Sequence, residues 1–147
     1  MNTVKHSTFT LERTYAAPPA RVFAAWADRD TKAKWYAAHD TDYTLDFRVG
    51  GTEATHGQTD DGARIVATSV YRDIRADERI VYTTLLHGRD VLATVSVTTV
   101  EFVPEGTGTH LVLTEQDTFL DDQELPDWRQ QGTRDWLDAL GREITGA

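Results

Sequence analysis

The chain has no cysteine, one methionine and four prolines in 147 residues. Without cysteine there is no disulfide frame, no thiolate nucleophile and no thiolate metal ligand. The histidines, His6, His39, His56, His87 and His110, never fall at HxH, HExxH or H-x3-H spacing. No zinc site or other metal is therefore expected. Serine is scarce as well: Ser7, Ser69 and Ser96 all lie outside a GxSxG context, which leaves a serine triad without support. There is no GxxxxGK[ST] phosphate loop, so no ATPase chemistry and no cofactor is expected. Basic residues number fifteen against twenty-four acidic ones, for a formal net charge of -9. That balance argues against nucleic acid, whose binding rests on neutralised phosphates, and against an anionic membrane surface. No apolar run approaches a membrane span, and the opening MNTVKHSTFTLER lacks the apolar core of a signal peptide. A cytoplasmic location is the expectation.

What is present is an ordinary globular composition, 39% hydrophobic and 10% aromatic, enough for one domain over residues 1–147 with a real core. Phe9, Leu11 and Tyr15 alternate with Thr8, Thr10, Glu12 and Thr14, which predicts a half-buried strand over 7–15. Pro18 and Pro19 then introduce a helix over 20–27, and Asp28 can cap a second over 29–36. Strands are expected over 43–49, 52–58, 63–75, 79–87, 91–103 and 109–119, separated by Gly50-Gly51, Asp60-Asp61-Gly62 and other short turns. Short links between long strands predict an antiparallel meander. A final helix is expected over 127–144, with Trp128, Gly132, Trp136, Leu140 and Ile144 recurring on one apolar face. The fold class is α+β. A curved antiparallel sheet of about seven strands wraps a long C-terminal helix, with two short helices after the first strand.

The segments HSTFTLERTYAAPPARVFAAWAD, DFRVGGTE, YRDIRADERIVYTT, EGTGTHLVLTEQDTFLDD and GTRDWLDAL, in that order, span nearly the whole chain. In them the chain resembles the bacterial heat-shock-protein-90 ATPase-activator-like family, within the START-like, SRPBCC, helix-grip superfamily. The resemblance implies a helix-grip fold. Members of the superfamily bind lipids, hormones or polyketides, some are cyclases, and the eukaryotic namesake stimulates a chaperone ATPase with an additional domain that has no counterpart here. Fold-level likeness does not choose among these roles.

Strand parity nominates the concave face. Phe47 and Val49 should point inward, as should Glu53, Thr55 and Gly57 by family-like packing. Tyr82, Thr84 and Leu86 share a face, as do Thr98, Val100 and Phe102. Leu111 and Leu113 carry Glu115 inward with them. Glu53 and Glu115 stand out, because a carboxylate on an apolar face must be paired or shift its pKa. Each is either a ligand-orienting or acid/base group or a structural acceptor that closes the sheet. Gly132 removes bulk between two helix tryptophans and marks room for a guest, with Trp136 one turn away and Trp35 and Tyr36 at one end. The tryptophans read equally as core. Arg129, on the flank of the last helix, pairs with Glu115, with an acidic ligand or in a surface salt bridge. His56 and His110 alternate away from the pocket face.

The candidate pocket set is Trp35, Phe47, Glu53, Tyr82, Thr84, Glu115, Gly132 and Trp136. The favoured reading is a binding protein for a small apolar or amphipathic molecule held in an internal cavity. One alternative is a stand-alone chaperone partner or interaction module, in which the polar strand 52–58 could pair with a second copy in a homodimer. Another is a cyclase or dehydratase using Glu53 or Glu115 with Tyr82 as helper.

Overall fold

The computed structural model describes residues 3–37, 42–59 and 61–146. His39 and Asp60, named above, lie outside them. The elements run β1 (Val4–Tyr15), α1 (Pro19–Ala27), α2 (Arg29–Tyr36), β2 (Thr44–Leu45), β3 (Thr52–Gln58), β4 (Arg64–Arg75), β5 (Arg79–Gly88), β6 (Val91–Glu105), β7 (Gly108–Leu120) and α3 (Pro126–Thr145). The strands form one seven-stranded sheet in the order β1-β7-β6-β5-β4-β3-β2. Every pairing is antiparallel. Register shifts between Tyr71 and Asp73 on β4, and between Leu86 and His87 on β5, add local bends. This is the α+β helix-grip architecture expected from the strand pattern.

The helices start and stop where local chemistry directs. Pro19 opens α1 and Pro126 opens α3, positions where a missing N–H costs nothing. Asp28 caps α2, accepting from the Thr31 amide at 3.0 Å. Gly146 ends α3 in the left-handed conformation at φ 75°.

The core lies between the concave sheet face and the helices, at the end of the sheet nearest α1. Val22, Ile80, Val100, Leu111, Leu113 and Leu140 are fully buried there. Phe23 packs edge-on against Phe102 with centroids 5.4 Å apart, a favourable aromatic geometry. The Tyr15 hydroxyl donates to the Leu137 carbonyl at 2.8 Å and ties β1 to α3.

Two expectations change. The strand expected over 43–49 is only Thr44–Leu45. Residues 46–51 fold back on themselves, with Asp46 N–H donating to the Thr52 carbonyl and Gly51 N–H to that of Arg48. A Cβ on Gly51 would lie 2.1 Å from the Asp46 carbonyl oxygen, so only glycine fits this turn. Val49 is consequently outside, 58% exposed, while Phe47 packs on Phe23 and Tyr71. The apolar face of α3 is also rotated from its expected line. Thr133, Leu137 and Leu140 are its buried residues, and Trp128 is 62% exposed.

Candidate functional site

The α3 helix crosses the concave face without filling it. Between them lies a cleft of about 870 Å³, within the range of small-molecule sites. Its sheet wall carries Tyr82, Thr84, Leu86, Thr98 and Glu115, and its helix wall Trp128, Arg129, Gly132 and Trp136. Trp35 and Tyr36, from the end of α2, close one side. Tyr36 meets Trp136 with ring centroids 4.5 Å apart, joining α2 to α3. A Cβ built on Gly132 meets nothing within 4 Å. The space beside that glycine is empty, and the glycine is not forced by a close approach.

Of the sequence-nominated residues, Trp35, Tyr82, Thr84, Glu115, Gly132 and Trp136 share this cleft, whereas Phe47 and Glu53 do not line it. Phe47 is drawn into the core by the early end of β2. Glu53 is drawn behind the cleft wall by a partner that strand parity could not supply, Lys32 of α2. Lys32 Nζ stands 2.7 Å from Glu53 Oε2, with the two side chains 0% and 1% exposed. The Tyr43 hydroxyl donates to the same oxygen. The rings of Trp26, Trp35, Tyr36, Tyr71 and Tyr82 surround the ammonium at 4.5–5.9 Å, a cation–π arrangement. Burial pulls the Lys32 amine below the ordinary lysine value, against the opposing pull of the Glu53 carboxylate. Burial, then the Glu53 charge, pushes the hydroxyls of Tyr36, Tyr71 and Tyr82 upward, so these phenols stay protonated.

At the opposite side of the sheet, Arg129 is no surface residue. Its Nε donates to Glu115 Oε2 at 2.9 Å, with the two side chains 10% and 2% exposed. Its other nitrogens reach Glu124 at 3.4 Å and the Ser96 hydroxyl at 3.0 Å. Burial works against the guanidinium charge, but Glu115 and Glu124 outweigh it and hold Arg129 above its ordinary value. Asp117, two residues beyond Glu115 on the same face of β7, is 4% exposed, and no donor reaches either of its oxygens. Burial first, and Glu115 next, push its carboxyl up to about 8. Two ionised carboxylates can only repel, so Asp117 and Glu115 satisfy each other only with a proton between them.

The two ionic groups are connected. Glu53 pairs across the sheet with Ser69, Ser69 with Thr84, Thr84 with Ser96, and Ser96 with Asp117. All are buried. The Ser69 and Thr84 hydroxyls lie 2.8 Å apart. A polar row thus crosses the concave face from β3 to β7. Its signal in the sequence is the register of isolated Ser and Thr residues, which no single strand reveals. Among the histidines, His110 Nε2 lies 2.8 Å from Glu12 on the sheet's outer face, away from the cleft. Among the described residues no group of His, Asp or Glu is arranged to hold a metal ion, and no helix is long and apolar enough to cross a membrane.

A curved antiparallel sheet closed on a C-terminal helix, with a cleft between them, defines the START-like helix-grip class. Within that class the chain belongs to the family described as "Activator of Hsp90 ATPase homolog 1-like protein", whose pattern matches residues 16–144. It is similar to a solved but uncharacterised protein of Rhizobium leguminosarum, 37% identical over 100% of this chain and 99% of the other, with a TM-score of 0.96. It is also similar to the Mll3558 protein of Rhizobium loti, 40% identical over 96% and 99% of the two chains, with a TM-score of 0.91. The CV1439 protein of Chromobacterium violaceum is 26% identical over 93% and 96%, with a TM-score of 0.78. Among curated proteins none matches significantly.

Proposed function

We propose that this protein binds a small amphipathic molecule in the cleft between α3 and the sheet. The observation that carries the reading is the open space of about 870 Å³ beside Gly132. A helix that crosses a sheet and leaves this much room beside a glycine shapes a recess of ligand size. Its walls are mixed. Trp136, Leu86 and Ala139 offer apolar contact, and Thr84, Thr98 and Glu115 offer hydrogen bonds along the floor. Thr84 and Thr98 already bond Ser69 and Glu115, and the lone pairs they keep suit a guest that carries polar atoms along one edge.

Native mass spectrometry of the purified protein should detect a retained small molecule, and the neutral dye Nile red should fluoresce in the emptied cleft. Gly132→Leu puts a branched side chain into the open space. It should abolish dye binding while leaving the unfolding midpoint within a few degrees. Dye binding that survives Gly132→Leu in a folded protein would show that the cleft is not the site.

A further inference from the structure

The polar row's two ends differ in charge balance, and the imbalance at the end beside the cleft names a class of guest. At the Arg129 end, three carboxylates, Glu115, Asp117 and Glu124, face one guanidinium. Arg129 is already committed to Glu115, Glu124 and Ser96. The other basic residue near this end of the sheet, Lys5 on β1, is paired with Asp122 at 2.6 Å. What else faces Asp117 is neutral: Ser7 opposite it on β1 and Ser96 opposite it on β6. Its two oxygens stay without a donor. With Asp117 neutral, two acidic groups remain against one guanidinium, and the group lacks one positive charge.

Glu115 and Glu124 line the cleft, where the Thr98 and Thr94 hydroxyls donate to them at 3.4 and 2.7 Å. Trp128 stands on the same end of α3, lines the cleft and is 62% exposed. An exposed indole beside paired carboxylates suits an organic ammonium, which takes hydrogen bonds from acids and cation–π contact from a ring. The carboxylates do not converge as a metal-holding group, because the Arg129 guanidinium sits among them.

We infer that the guest of this cleft is a cationic amphiphile, whose protonated amine docks on Glu115 and Glu124 beside Trp128 while its apolar part lies along Trp136. This rests on the ligand-binding reading above and specifies its chemistry. Asp117 stands behind Glu115 and does not touch the guest. It holds a proton while the cleft is empty, and a second positive charge at Glu115 releases that proton. Amine binding is therefore coupled to proton release from Asp117, and it tightens as pH rises toward about 8.

The test compares dodecylamine with dodecanol, which share a chain and differ in the head group, by calorimetry in buffers of differing ionisation enthalpy. The expected result is binding of both, with the amine tighter by about tenfold, the scale of one charge-assisted hydrogen bond. Proton release should accompany the amine alone. Glu115→Gln should remove the preference for the amine. Asp117→Asn should remove the proton release while dodecanol binding stays unchanged. Equal affinity for amine and alcohol in the unaltered protein would overturn the inference and leave the cleft reading standing. Binding of neither would overturn both. Proton release that persists in Asp117→Asn would remove Asp117 from the coupling.

Discussion

The buried charges at the two ends of the polar row answer the same problem differently. On the β3 side, Lys32 and Glu53 form a matched pair sealed at 0% and 1% exposure, and aromatic rings close over the ammonium. On the β7 side, one guanidinium bonds two acids, with a third, Asp117, left without a donor, and it borders an open cleft. Glu53 Oε1 has no partner, but a sealed pair that does not line the cleft is out of a ligand's reach. It fixes where α2 sits on the sheet. An unmatched group at a cleft wall keeps unused hydrogen-bonding capacity, which is what recognition requires. Perturbed ionisable groups occur at both sites, so perturbation alone does not mark function. Balance and access separate the two.

The largest effect should come from breaking the matched pair. Lys32→Met leaves Glu53 buried without a cation and should cost about 3–5 kcal/mol in urea unfolding. Adding Glu53→Gln should recover most of that loss. If the double variant is as unstable as the single one, the pair's charge is not what matters there. At the other end, Arg129→Met should cost about 3 kcal/mol near neutral pH.

Asp117 predicts a smaller, pH-dependent effect. Its folded value of about 8 lies above the unfolded value, so between roughly 4 and 8 the folded chain holds a proton that the unfolded chain has lost. Stability contributed by that proton is fully present below about pH 4 and disappears as pH rises through about 8. Asp117→Asn should flatten that part of the profile and raise the unfolding midpoint at alkaline pH relative to the unaltered protein. An unchanged profile would mean that Asp117 is ionised throughout. The smallest effect is expected at the helix wall. Gly132→Ala meets open space, removes a helix-interior glycine and should stabilise by about 0.5–1 kcal/mol, measurable by calorimetry.

Much of the fold was legible because long strands, short turns and cap residues signal locally. Pro19, Asp28 and Pro126 each act within one helical turn of their own position. Inward placement of Thr98 and Glu115 followed from parity with Val100, Phe102, Leu111 and Leu113, and that of Tyr82 from the face it shares with Thr84 and Leu86. Lys32 was hidden, because it looks like one more polar residue in the mean pattern of a short, hydrophilic helix. Only the docking of α2 against β3 makes it the partner of Glu53. The alternation that places Glu115 inward places Asp117 inward as well, but its lack of a partner stays hidden, since neither cross-strand neighbours nor charge counts are visible along one strand. Trp128 misled in the other direction, as large aromatics usually enter cores and this one stands in the open.

The polar row also bears on how the strands find their register. In the middle of β5 and β6 the usual pattern is inverted, with Thr84 and Ser96 buried inside and Leu85, Val95 and Val97 substantially exposed outside. A slip of one residue would swap these faces, and at that end of the sheet it would gain apolar burial. What forbids the slip is the other end, where Ile80, Val100, Phe102, Leu111 and Leu113 would all be turned outward. Alignment of β5, β6 and β7 must therefore be decided beside α1 and carried passively along the strands to the cleft. The cleft end is the part of the sheet that hydrophobicity alone would have assembled wrongly.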